Sequence, residues 1–383
     1  MQIYRGDDRA CAPPGDGGRP LPAPPDAAHL AGYYDLTISH PRLDQPELAA
    51  FGRWLAQAAA DYDLSCALIH DGVVHEAIRR LASGELTVGY HLDYFALWHV
   101  PGDPYAQLSL AVQDTGGRPV NLPARSRAFT DKAAAHAELV RHGLGVPPTV
   151  IVRPWAGERP LSARDLQTLR LDAPHAGVFV KAANGFGGRG VHRVEDPTPD
   201  RLNAALAAAR QHDRGDSYLV HRGVRGPSLA CEDGTERPAY WRVLGCLGDL
   251  YAFWWSPQSI TNGRPSYRAV TAGELRRHRL EPVLAYAQAL ADLSGLDWFS
   301  TELCLSDGPE ESRFAVIGAD GHERPVVAID YLNDQCDVDV QSRWPGGPPD
   351  VFVRRVAARF AEEAWRLRQS RLRPATRAYL RAA

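Results

Sequence analysis

Lysine is what this chain nearly lacks. Of its 43 basic residues only two, Lys132 and Lys181, are lysine. A high-GC coding bias favours arginine throughout, and it does not explain why lysine stays at two places. Lysine is a compact point charge on a slim stem, whereas arginine is a broad planar fork. A site that presses a point charge close to a phosphate resists arginine, which singles out both positions before any motif is read. Cysteine is scarce as well. The six (Cys11, Cys66, Cys231, Cys246, Cys304 and Cys336) lie far apart without a CxxC pair, which argues against a zinc ribbon or a disulfide framework. No apolar run approaches the ~20 residues of a spanning helix, and residues 1–25 lack the apolar core of a secretory signal. The expectation is a cytoplasmic, reduced protein with no membrane partner. A formal net charge of -3 leaves no global field to recruit nucleic acid.

At 383 residues the chain is too long for one core, and two or three packed units are expected. Residues 1–30, rich in Pro, Gly and Asp, are expected to be disordered. From 31 to 125, short apolar runs alternate with helical stretches. Residues 34–38, 65–70 and 108–113 read as strands and 45–62 and 74–81 as helices, a small α/β unit of βαβ type. Thr130 reads as the N-cap of a helix over 131–142, stopped by Gly143 and Pro147-Pro148. Beyond it, 177–181 with 190–194, and 240–247 with 250–255, read as antiparallel hairpins. Residues 150–152, 217–220, 298–305, 313–317 and 325–331 read as further strands. Helices are expected over 199–212 (Thr198 as cap, Pro199 at the first position), 280–293 and 350–372. The order is one α/β unit followed by two α+β units, divided at 126–222 and 223–383.

Three motifs carry chemistry. The first is Lys181 on a strand, followed by a loop bearing Gly185, Gly187, Gly188 and Gly190. The loop lies between two antiparallel strands and not between strand and helix, so its G-x-G-x-x-G spacing is no dinucleotide fingerprint. Backbone N–H groups of such a loop can still cradle phosphates. The second is Asp131-Lys132 at a helix start, where an added positive charge suits an anion more than stability. The third is Glu302, Asp330 and Asn333 near the ends of apolar runs. Buried carboxylates need partners, and two of them with an amide oxygen make a hard-oxygen site suited to Mg²⁺. His70-Asp71 with His75-Glu76 matches no ligand spacing and reads as a strand-to-helix turn. Trp254-Trp255 reads as core, and 256–267 as a polar loop that either lines a pocket or only connects.

In this order the motifs resemble the ATP-grasp superfamily over about residues 120–340. The resemblance implies a pre-ATP-grasp α/β domain at 31–125 and a two-lobed fold of antiparallel sheets, with the segment 154–219 closing over the nucleotide. It implies that Lys132, Lys181 and the glycine loop hold the phosphates of ATP, that Glu302, Asp330 and Asn333 hold Mg²⁺, and that Arg242 with Lys181 acts on the reacting phosphate. Residues 218–224 resemble the hinge strand that meets adenine, with His221, Arg222 and Val224 as its contacts. The implied activity is ATP-dependent joining of a small-molecule carboxylate to an amine through an acylphosphate. A kinase of the same fold and a non-catalytic nucleotide-binding module are the alternatives, with a homodimer allowed for. Two departures stand out. The hinge has His221 and Arg222 where the family has Glu or Gln. Two residues, Tyr331 and Leu332, separate acid from Asn where the family has one, which brings Asp334 forward as a further ligand.

Overall fold

A computed structural model describes residues 30–41, 46–154, 160–173, 175–185, 190–211, 213–255, 267–343 and 346–382. The expectations for residues 1–29, for Gly187 and Gly188 and for 256–266 fall outside them. The first unit is a parallel sheet in the order β2-β1-β3-β4, from β1 (Gly32–Ser39), β2 (Cys66–Ile69), β3 (Leu86–Asp93) and β4 (Arg118–Val120). Helices α1 (Pro46–Asp61), α2 (Val74–Ser83) and α3 (Pro104–Asp114) make the crossovers. Leu36, Ile38 and Leu92 pack with Phe51 and Leu55 of α1. Val88 and Ile69 pack with Val74, Leu81, Leu108 and Val112 of α2 and α3. Each such side chain contributes about 1.5–3 kcal/mol on full burial.

The strand expected at 108–113 is wrong: those residues belong to α3. Asp103 caps that helix by accepting from Ala106 N–H, with Pro104 in its first turn, a start signal stronger than the short apolar run. The strand the unit needed is β3, whose expectation was missed. Thr130 is not the N-cap either. It ends α4 (Pro123–Thr130), its hydroxyl donating back to Ser126 O at 2.8 Å. Asp131 caps α5 (Lys132–Arg141) by accepting from Ala133 and Ala134 N–H.

The second sheet is antiparallel, in the order β5-β8-β6-β7: β5 (Thr149–Val152), β6 (Val178–Ala182), β7 (His192–Val194) and β8 (Tyr218–Arg222). Alternation divides it into two faces. Val178, Val180, Tyr218 and Val220 pack on α6 (Ala163–Thr168) and α7 (Pro199–Ala209), with Leu166, Leu202 and Leu206. The opposite face carries Phe179, Lys181, Leu219 and His221, which the register sets side by side.

The third sheet has six antiparallel strands in the order β13-β12-β11-β14-β16-β15. They are β11 (Tyr240–Cys246), β12 (Asp249–Trp254), β13 (Arg268–Ala269), β14 (Trp298–Leu305), β15 (Ala315–Ile317) and β16 (Glu323–Asn333); a short pair, β9 (Ser228–Ala230) and β10 (Glu236–Pro238), precedes them. Trp241, Val243, Phe299, Leu303 and Ala328 cover one face with Leu284, Ala287 and Leu290 of α9 (Glu281–Ser294). Gly295, at φ 64°, closes α9 in the left-handed region that glycine adopts freely. A shorter helix, α8 (Ala272–His278), leads into it. Core packing crosses the expected divisions. Ala133, Ala135 and Leu139 of α5 join the core of the large sheet, and Val356 and Phe360 of α10 (Asp350–Ala382) join that of the first unit. Among the described residues no helix is long and apolar enough to cross a membrane.

Candidate functional site

The free face of the large sheet is read most simply along β14. Trp298 packs into the first unit and α10. Cys304, at the other end, packs with Val224 and Val327. Between these apolar zones the same face carries Ser300 and Glu302. The antiparallel register sets Arg242 of β11 opposite Glu302, and Glu302 opposite Asp330 of β16. Three neighbouring strands thus place Arg, Glu and Asp in one row.

Asp330 and Asn333 are three residues apart and would face opposite sides of a regular strand. The register shifts twice here. Leu303 pairs with Ala328 but Glu302 with Asp330, and Ser300 then pairs with Asn333. Each step gives β16 one more residue than β14, the signature of a β-bulge, which re-aims side chains. The first shift turns Asp330 away from the α9 side that holds Ala328. The second absorbs the additional residue between acid and Asn, and Tyr331 and Leu332 both enter the core. Asn333 Nδ2 donates to Asp330 Oδ2 at 3.3 Å.

Both lysines reach this row. Lys181 crosses from β6 and donates to Ile329 O at 2.8 Å. Lys132, at the start of α5, donates to Gly185 O at 2.7 Å. Each Nζ lies 3.7 Å from Asp330 Oδ1, an atom that is buried without a hydrogen bond. Burial would raise the Asp330 carboxyl, but Lys132 and Lys181 outweigh it and hold it well below the usual range. Glu302 behaves oppositely. Burial pushes it up to about 7, against the pull of Arg242, whose Nη1 is 3.4 Å from Glu302 Oε1. Burial also lowers the Lys181 ammonium, with Asp330 opposing. Two buried lysines and the half-buried Arg242 therefore face two carboxylates. That surplus is an invitation to an anion.

The donor set also suits a hard cation. Mg²⁺ is commonly held by one or two carboxylates together with phosphate and water, and Asp330 Oδ1, which accepts no hydrogen bond, is an oxygen it could use. Among the described residues no group of three or more His, Cys, Asp or Glu is arranged for a metal, so the protein's share would be Glu302, Asp330 and the Asn333 amide.

The hinge residues divide. His221 is on the cleft face, stacked on Phe179 with ring centroids 5.5 Å apart, and burial with nearby Lys181 holds its ring neutral. Arg222 is on the opposite face. Its guanidinium is fully buried against Glu310 and donates to Arg170 O at 3.1 Å, and its backbone N–H donates to Pro148 O at 3.0 Å, so the side chain does not face the cleft. Val224 is buried and its carbonyl accepts from Tyr240 Oη at 2.7 Å. Asp334 is not in the acid row: its carboxylate accepts from Trp98 Nε1 at 2.6 Å. His70 Nδ1 accepts from Gly72 N–H within the turn, Asp71 accepts from Tyr105 Oη of α3, and Trp254 is core, donating to Glu274.

Sequence reasoning missed the segment Phe95 to His99. Together with Thr130, Lys132, Gly185 and Asn333 it lines an open cleft. The segment follows β3 at the carboxyl edge of a parallel sheet, where such sheets commonly bind ligands, and it stayed hidden because β3 was not recognised. His136 was missed too. Its Nδ1 lies 2.7 Å from Tyr331 Oη, whose ring faces Lys181 Nζ at 5.6 Å.

A parallel α/β unit followed by two facing antiparallel sheets, with the acid row and lysines between them, is the ATP-grasp fold. D-cycloserine synthetase superposes with a TM-score of 0.55 at 17% identity, over 88% of this chain and all (100%) of that one. D-alanine–D-alanine ligase from Bacillus anthracis gives 0.55 at 11% identity, over 89% and 100%. A RimK-domain ATP-grasp protein from Sphaerobacter thermophilus gives 0.51 at 18%, over 86% and 98%. No protein-family model matches the sequence, and no curated protein matches it.

Proposed function

We propose that the protein is an ATP-dependent ligase that joins a carboxylate to an amine. The observation that carries this is the convergence of Lys132, Lys181 and Arg242 on Glu302 and Asp330, between two antiparallel sheets. The likeness to D-cycloserine synthetase and D-alanine–D-alanine ligase supports it, as does PsnB, an ATP-grasp ligase of the same fold (TM-score 0.51, 13% identity) solved with Mg and ADP. In this reading the base lies between Phe179 and His221 on one side and Val224, Cys304 and Ile329 on the other. The phosphates reach Lys181, Lys132 and Gly185, and the sheet from Thr149 to Arg222 is the lid.

The substrate carboxylate attacks the γ-phosphorus, the bond to ADP breaks, and an acylphosphate forms. The amine nitrogen then attacks the acyl carbon, phosphate departs with the former carboxylate oxygen, and the amine loses a proton. Lys181 and Arg242 hold charge that builds on the transferred group, and Lys132 fixes the phosphates from the helix start, so catalysis is positioning and charge neutralisation. Glu302, Asp330 and Asn333 would hold Mg²⁺, which would supply further neutralisation of the phosphate oxygens.

The test is a screen of small carboxylic acids with ATP and hydroxylamine, which intercepts an acylphosphate as a hydroxamate. A ligase gives ADP and hydroxamate in equal amounts with its substrate acid. ADP with a stable phosphorylated product and no hydroxamate indicates a kinase, and no turnover with any acid indicates a binding module; either contradicts the proposal.

A further inference from the structure

The cleft beside Lys132 has features that restrict what it admits. Its wall, from Phe95 to Trp98, is fixed from behind. Asp93 Oδ1 accepts from Phe95 and Ala96 N–H, both at 2.9 Å. Asp103 Oδ1 accepts from Leu97 N–H at 3.3 Å while capping α3. Phe95 is locked edge-on against His40 and Tyr105, with centroids 5.1 and 6.0 Å away. A wall held this way is preorganised, and it offers aromatic surface.

Charge around the cleft is one-sided. Lys132 lines it, and Arg127 lies over the Trp98 ring at 5.6 Å. Among the described lining residues the only carboxylate is Asp334, and Trp98 Nε1 already occupies it at 2.6 Å. The remaining polar groups are the uncharged Thr130, Asn184, Asn333 and Gln335 and the base His99. A cationic group entering here would meet Lys132 and Arg127, while the nearby Asp330 is already shared by Lys132 and Lys181 at 3.7 Å from each, at a cost of desolvation and like-charge repulsion.

We infer that this cleft receives the carboxylate substrate, and that the substrate is an acid with a flat apolar body and no cationic side chain. The carboxylate end faces Lys132 and Asn333 and the body lies on Phe95 and Trp98. This rests on the ligase reading for the word substrate, but the selectivity follows from the wall and its charges alone.

Three probes of similar length separate the possibilities: 3-phenylpropionate, hexanoate and 6-aminohexanoate. Each is titrated calorimetrically into the full chain, with and without Mg²⁺ and a non-hydrolysable ATP analogue, so that the preference is read whether or not nucleotide binds. The expected result is that 3-phenylpropionate binds roughly tenfold or more tighter than 6-aminohexanoate, with hexanoate between them. Phe95→Leu, which keeps an apolar side chain and removes the ring, should weaken 3-phenylpropionate by roughly fivefold or more and leave hexanoate and the ATP analogue nearly unchanged. Equal or tighter binding of 6-aminohexanoate, an unchanged aromatic preference in Phe95→Leu, or no binding of any acid overturns the inference. Selective binding without hydroxamate formation from any aromatic acid upholds it and counts against the ligase reading. Hydroxamate formed only from cation-bearing acids does the reverse.

Discussion

Asp330 Oδ1 is the most exacting atom in the protein. It is buried, accepts no hydrogen bond, and has two ammonium groups at 3.7 Å. A buried acceptor left unmade costs about 1–3 kcal/mol, more when charged, so the arrangement serves a bound ligand better than it serves the empty fold. Lys181 is 8% exposed and threads from β6 to Ile329 O, a buried path better matched to a slim ammonium than to a broad guanidinium. Lys181→Arg should therefore lower ATP turnover by about 100-fold or more, the scale of losing a preorganised charge contact. ADP release at the wild-type rate would remove lysine geometry from the account. Glu302→Gln and Asp330→Asn should fold normally yet require much higher Mg²⁺, since hard cations favour charged oxygens; thermal melts and Mg²⁺ titrations of ADP release check this. Both variants melting far below wild type with an unchanged Mg²⁺ response would make the acids structural. At this scale the sequence was legible where residue type was rare: two lysines in the whole chain could be named at once. It was not legible where a side chain's partner is remote in sequence. Arg222 has the composition of a phosphate binder, and only strand parity and the distant Glu310 reveal that it faces the other way.

Strand irregularity decides how the row is built. The acid-x-x-Asn spacing looked like a departure because regular alternation was assumed, and the β16 bulge between Asp330 and Asn333 cancels it. Bulges leave little trace in a single sequence, so this correction could come only from the register. Hairpins were the opposite case. Gly248-Asp249 between two apolar alternating runs marked β11 and β12 correctly, because turn chemistry there is local. The α3 error came from weighing the four apolar residues of 108–113 above the Asp103-Pro104 start signal. The first sheet supplies a test of its own packing. His91 is fully buried between β1 strand hydroxyls, with Nδ1 2.9 Å from Thr37 Oγ1 and Nε2 3.3 Å from Ser39 Oγ. Burial lowers its pKa from 6.5 to about 3. A base depressed in the folded state stabilises fully above its unfolded pKa, so its contribution is lost as pH falls from 6.5 toward about 3. His91→Gln should flatten that part of the stability curve relative to wild type, measured by thermal melts across the window. Parallel curves for the two proteins would mean that His91 is protonated without cost.

Across the molecule, the band of charge lies where three units meet. The first unit gives the wall at Phe95 and Trp98, the small sheet gives Lys181 and His221, and the large sheet gives Arg242, Glu302 and Asp330. Helix α5 carries Lys132 into the same place while packing on the large sheet. The order of units was readable from the alternation of element types, but their mutual packing was not. The α10 helix closes the core of the first unit from the far end of the chain, a contact no local pattern announces. The central claim is that both lysines point into a nucleotide site, and the chain's composition makes this directly measurable. An amine-reactive ATP analogue has only Lys132, Lys181 and the N-terminal amine to modify. Both lysines are largely buried, at 5% and 8% exposure, so a reagent without affinity for the cleft reaches them poorly. After labelling, peptide mapping should find the modification on Lys132, Lys181 or both, and excess Mg-ATP should abolish it. Label confined to Met1, or lysine labelling that Mg-ATP does not block, would contradict a nucleotide site between the two sheets.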